Sequence, residues 1–302
     1  MKTQSVDATQ FAAIRYLDLV AYLRANGWRE LNAELNAGYW GRDDFEDDLV
    51  VSKRPTFRDY ALCMSRAIEQ LVVFEARSAI EIARDISQIN TDVVRIRAVT
   101  PYAQSGVLSI GDGVQLTNAA RDMLVAAACS AFTPRRAHSA RKPQQVTQFV
   151  DALRLGQTER GSYVITVLAP MAPAVGGNQL TLTGTNTEPT TELPFVRRVT
   201  NCLSDGLRHL QLATQALAAN PESQAFEEAI PHGVSADLCE ALALILQGNA
   251  IESLGVSVRW APSRPQKAAF DAVTFSRDEL EIIANAGKSL RARAPVDRKS
   301  VV

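Results

Sequence analysis

The chain of 302 residues has no apolar run long enough to cross a bilayer as a helix. Its opening residues, Met1-Lys2-Thr3-Gln4-Ser5-Val6-Asp7, contain no apolar core of a secretory signal, so the sequence is read as soluble and cytoplasmic. A cysteine framework is missing too. Cys63, Cys129, Cys202 and Cys239 are far apart, form no Cys-x-x-Cys and sit in apolar helical patterns, which fits buried reduced thiols. Histidine is scarce, and His138, His209 and His232 lack metal-ligand spacing, so neither a metal nor another cofactor is expected. Charge of one sign is absent: the net charge of −1 gives no general attraction to nucleic acid or membrane.

Catalytic signatures are absent as well. There is no Gly-x-x-x-x-Gly-Lys, Gly-x-Gly-x-x-Gly, Gly-x-Ser-x-Gly or His-x-x-x-His. Gly233-Val234-Ser235-Ala236-Asp237 follows a nucleophile elbow for three positions and then departs from it. Ser235 reads better as a helix N-cap, with Asp237 favouring the helix dipole.

Apolar residues at 46% and charged residues at 22% describe a globular protein, and the length suits two domains. The fold class expected is α+β: a small N-terminal α-β-β-β-α module with a further helix over 1–91, then a larger mixed α/β domain over 92–296. In the first part, a helix capped by Thr9 ends at Asn26-Gly27. Strands follow at 28–31, 38–41 and 49–52, then helices at 57–76 and, capped by Ser78, to about 86. Trp28 or Trp40 is expected on the buried sheet face. The acidic stretch 43–48 reads as a solvated hairpin tip, since it lacks the ligand spacing of a calcium loop.

In the second part, strands are expected at 92–99, 107–110 and 114–116, the last two flanking Gly111-Asp112-Gly113, with a helix from Thr117 to 132. Next come a helix at 145–155, a strand at 163–169 and a long helix from Pro194 to 219. Helices at 222–229 and 236–247, strands at 256–260 and 272–275, and a helix at 277–291 complete it. The pattern allows two β-β-α units, each with an arginine-bearing first strand (Val94-Arg95-Ile96-Arg97 and Ser257-Val258-Arg259-Trp260), either duplicated or coincidental.

The N-terminal element order resembles the double-stranded-RNA-binding-like fold, including HicA-type toxins. That resemblance covers about 65 residues at the level of fold alone. The HicA pattern needs a histidine just after the glycine opening the second strand, and here Gly38 is followed by Tyr39-Trp40. No ribonuclease activity is therefore implied, and the acidic hairpin would repel phosphates.

The segments Tyr22-Leu23-Arg24-Ala25-Asn26-Gly27-Trp28, 153–163 and Pro194-Phe195-Val196-Arg197-Arg198-Val199 together resemble an uncharacterised bacterial family with no known activity. Its members are longer, which implies a bacterial, cytosolic, C-terminally truncated chain. Residues 297–302, Asp-Arg-Lys-Ser-Val-Val, back-translate to the start of a common sequencing adapter followed in frame by a stop, so this tail is read as non-native.

Three groups are candidate sites. Gln157, Thr158, Glu159 and Arg160 lie between Gly156 and Gly161 just before a strand, where polar side chains can meet a ligand. A plain helix-to-strand turn is the competing reading. The loop 134–143 carries Arg135, Arg136, Arg141 and Lys142, which could grip phosphates or simply be solvated. Arg197 and Arg208, with Asn201 and Asp205, share one side of a helix, expected as a solvent-facing, salt-bridged surface. The leading reading is a non-enzymatic binding component contacting a protein partner or nucleic acid. The alternative is an enzyme or ligand-binding protein acting on an anionic substrate through the 156–163 loop.

Overall fold

The computed structural model describes residues 11, 13–100, 107–156, 163–172, 193–248, 250–266 and 270–295. The fold is α+β, with one three-stranded and one five-stranded sheet among the described residues. The chain divides into two compact units. Among the described residues, the first holds 11, 13–91, Ala172 and Trp260–Gln266, and the second holds the rest.

The first unit runs α1 (Tyr16–Ala25), β1 (Arg29–Ala33), β2 (Ala37–Arg42), β3 (Phe45–Ser52), α2 (Tyr60–Glu75) and α3 (Ala79–Ser87). This is the α-β-β-β-α order expected, followed by one helix. The strands form an antiparallel sheet in sequence order. Trp40 and Leu49 are paired across β2 and β3, and both are fully buried. Trp28, Phe45 and Phe74 meet edge to face with ring centroids 5.3–5.5 Å apart, so Trp28 is a core residue as well. Because β3 already begins at Phe45, the acidic hairpin tip shrinks to Asp43-Asp44. Buried Asp18 accepts from Asn90 Nδ2 at 2.8 Å and fixes α1 to the chain after α3. Ser78 caps α3 through a reciprocal box with Glu81, as its Ser-x-x-Glu spacing dictates.

The second unit contains β4 (Thr91–Val99), α4 (Ile110–Phe132), α5 (Gln144–Ala152), β5 (Arg154–Leu155), β6 (Tyr163–Pro170) and α6 (Phe195–Ala219). It continues with α7 (Ala225–Glu228), a 3-10 turn at Ile230–His232, α8 (Ala236–Ala243), a second 3-10 turn at Leu244–Gln247, β7 (Ser253–Arg259), β8 (Phe270–Ser276) and α9 (Arg277–Ala292). The sheet order is β5-β6-β4-β7-β8. One sheet face is apolar and buried: Val94, Ile96 and Ala98 of β4 stand opposite Val258, Val256 and Leu254 of β7. Along α6, Val199, Leu203, Leu207 and Leu210 recur at helical spacing and are buried, with Pro194 at the N-cap.

The strands expected at 107–110 and 114–116 are not there. Residues from Ile110 onward are helix, so α4 starts seven residues before Thr117. Ser109 Oγ accepts from the Asp112 backbone N–H, and Leu116, Ala119, Ala120 and Met123 supply a buried helical stripe. The two glycines of Gly111-Asp112-Gly113 thus lie in a capped first turn rather than a hairpin. Of the two arginine-bearing β-β-α units the sequence allows, the second forms as β7-β8-α9, while in the first β4 is followed directly by α4 among the described residues. The helix 277–292 ends before Pro295, as expected.

Candidate functional site

The helices of the second unit enclose a cleft of about 930 Å3, lined by loop residues Pro134 to Ser139, by Glu227, Glu228, Ile230 and Pro231, and by Arg291, Ala294 and Pro295. Its volume is at the upper end of the range typical of ligand sites. The loop connects α4 to α5 and is tied down at successive residues. The Arg136 carbonyl accepts from the Ala236 backbone N–H at 2.7 Å. The Arg136 guanidinium donates to Glu227 Oε2 at 2.7 Å. The His138 backbone N–H donates to Asp237 Oδ2 at 2.8 Å, and the His138 ring meets Ser130 Oγ at 3.0 Å. Lys142 lies 3.9 Å from Asp237. Ser235 places Asp237 here by capping α8.

The anchoring has an electrostatic signature. Burial lowers the His138 pKa to about 4, opposed by Asp237 and reinforced by Lys142, Arg135 and Arg291. The His138 ring is therefore neutral at physiological pH. Asp237 also receives Arg291 at 3.4 Å, and Arg291 donates to Glu240 at 2.9 Å. Arg293 reaches Glu227 at 3.7 Å. Loop 134–143 is thus held by α7 and the start of α8, whose carboxylates also pair with Arg291 and Arg293 at the end of α9.

Of the four cations in this loop, Arg136 and Lys142 are in ion pairs. Arg135 and Arg141 are exposed and have no ion pair among the described residues. The same holds for Glu228 on the other wall of the cleft. Arg135 lines the large cleft and also a smaller cavity of about 190 Å3, shared with Cys129, Arg141 and Lys142. Ala137, Ile230, Pro231, Ala294 and Pro295 give the large cleft apolar surface between these charges. Chemically, it can bury an apolar group while meeting one anion at Arg135 and one cation at Glu228.

Arg197 corrects the reading of its helix face. It is 2% exposed, beside Asp92 at 0%. Its Nε and Nη2 each donate to Asp92 at 2.9 Å, and Thr200 Oγ1 donates to the same carboxylate at 2.7 Å. The face holding Arg197 turns inward because β4 offers a buried carboxylate there, and helical spacing alone cannot show which side is covered. Arg208, about 16 Å farther along the helix axis, is exposed and lies 5.0 Å over the Phe270 ring. Residues Gln157, Thr158, Glu159 and Arg160, and the tail 297–302, lie outside the described residues.

Of the residues lining this cleft, the sequence singled out Arg135 and Arg136, but not His138, Glu227, Glu228, Ile230 or Arg291. These come from segments up to about 150 positions apart, so no local pattern could have gathered them. The bracketing Pro134 and Pro143 were the one local sign of a fixed loop. No family model, no curated protein and no solved structure matches the chain.

Proposed function

We propose that this protein is a non-enzymatic binding component, and that the cleft beside loop 134–143 receives a segment of a protein partner. The observation carrying this reading is the pairing of a pinned loop with two exposed opposite charges, Arg135 and Glu228, that have no ion pair among the described residues, around an apolar surface. A pre-ordered loop loses little entropy on binding. A phosphate polymer suits this cleft poorly, because Glu227 and Glu228 line it beside the arginines. A peptide carrying an acidic residue, an apolar residue and a basic residue satisfies all three features.

Selection of displayed random peptides on the full chain tests this. Peptides of that composition should emerge, and Ile230→Asp should weaken them at least tenfold, because a carboxylate would then sit on the apolar surface. Selected peptides that bind the Ile230→Asp protein equally would refute the cleft as the site.

A further inference from the structure

The cavity of about 190 Å3 beside loop 134–143 differs from the larger cleft in its charge: among the described residues no carboxylate lines it. Its walls carry Arg135, Arg141 and Lys142. Arg135 and Arg141 are exposed and have no ion pair among the described residues. Lys142 is held loosely, 3.9 Å from Asp237. Asp237 itself is engaged by the His138 backbone N–H and by Arg291, and it does not line the cavity. The neutral His138 ring lines it without adding charge.

The loop sets these groups in place. Ser139 Oγ donates to the Arg141 carbonyl at 2.9 Å, which closes the turn leading into Arg141. Pro143, on the cavity wall, is the N-cap of α5, and no side chain caps that helix, so its positive end adds to the cations. The carbonyl end of α4 opposes an anion here, but two of its carbonyls are occupied. The Thr133 backbone N–H donates to Cys129 at 2.9 Å and Thr133 Oγ1 to Phe132 at 2.8 Å. The cavity holds the volume of about six waters. That is less than a whole small-molecule site and enough for one tetrahedral anionic group. Arg135, His138 and Ser139 line both spaces, so a molecule seated in the cleft can pass one side chain into the cavity along this shared wall.

We infer that this cavity binds the phosphate group of a phosphate monoester, carried into it by a phosphorylated serine or threonine of the partner segment in the cleft. The identity of the carrier rests on the peptide reading; the phosphate site does not. A phosphate monoester brings a charge of about −1.5 to −2 at neutral pH and three acceptor oxygens. A carboxylate brings a single charge, fewer than the two unpaired arginines can meet. Each guanidinium can present a planar fork to the phosphate oxygens, and Lys142 adds a point charge. Glu227 and Glu228, which disfavour a phosphate polymer along the cleft, do not line the cavity. A single phosphate group is therefore accepted where a chain of them is not.

The test uses the full chain, inorganic phosphate, and a labelled peptide selected on the full chain whose acidic residue is made glutamate or phosphoserine. By fluorescence anisotropy the phosphoserine peptide should bind at least about tenfold more tightly than the glutamate peptide. Arg141→Gln should remove most of that advantage and weaken the glutamate peptide less, since Arg141 lines the cavity and not the cleft. Calorimetric titration at constant ionic strength should show inorganic phosphate binding that Arg141→Gln weakens severalfold. Arg58→Gln, which removes the same charge from an exposed position in the first unit, should leave it unchanged. Native circular dichroism is required of both variants. If the glutamate peptide binds and phosphoserine adds nothing, the inference fails and the cleft reading stands. If no peptide binds, the cleft reading and the phosphorylated carrier fail together, and phosphate binding that depends on Arg141 would keep the phosphate site. No phosphate binding, or phosphate binding indifferent to Arg141→Gln, would overturn the inference.

Discussion

Arg197 and Asp92, 105 residues apart in sequence, form a two-bonded fork that is shielded from water on both sides. It joins the first turn of α6 to the start of β4. Removing one partner leaves a lone buried charge, which costs about 3–5 kcal/mol, whereas replacing both with apolar groups of similar volume is often neutral. Arg197→Met should therefore lower unfolding stability by about that amount. Arg197→Met with Asp92→Leu should recover most of it. Urea unfolding of the single and double variants checks this, and a single variant within about 1 kcal/mol of the parent would contradict it.

His138 gives a pH prediction with a definite sign. Its pKa falls from the ordinary 6.5 to about 4 in the folded protein, because burial disfavours the charged ring. The unfolded chain takes up the proton first. This residue's contribution to stability is thus complete above about 6.5 and is lost as the pH falls toward 4. His138→Gln should flatten the fall of melting temperature across that window. An unchanged slope would show that other groups set the acid response.

The cysteines should differ in reactivity. Burial raises the Cys202 and Cys239 thiols to about 12, and Cys239 is fully enclosed. Cys63 is half-buried and its pKa is raised as well, with burial the main cause. Native alkylation at mild alkaline pH should label Cys63 first and Cys239 only as the protein unfolds. Mass spectrometry of the digested protein reads the order, and early labelling of Cys239 would contradict the packing around it.

Ala76 closes α2 in the left-handed region, at φ 52°, and is exposed. A side chain at that conformation costs about 1 kcal/mol relative to glycine. Ala76→Gly should raise stability by up to about 1 kcal/mol, measured by chemical denaturation. A loss of stability would mean that the cap tolerates alanine without strain.

Several elements were legible in the sequence for identifiable reasons. Ser78, Ser235 and Pro194 each mark a helix start by local chemistry, and Tyr60, Met64, Ile68 and Leu71 repeat at helical spacing. Local chemistry misled where it had two meanings. Gly111-Asp112-Gly113 carries a hairpin's residues, yet Ser109 caps a helix over the same stretch. Arg197 illustrates the other limit, since its burial depends on an aspartate from a distant strand. The cleft was half visible: the arginines of loop 134–143 could be read as charge, but their anchors at Glu227 and Asp237 depend on tertiary packing.

The peptide cleft is tested most directly by exchanging its two exposed charges. A peptide selected on the parent protein is compared with a partner in which its acidic and basic residues are swapped. Arg135→Glu with Glu228→Arg should prefer the swapped peptide, and the parent the original, by at least tenfold each, or about 1.4 kcal/mol. Equal binding of both peptides to both proteins would contradict the claim that Arg135 and Glu228 read the partner.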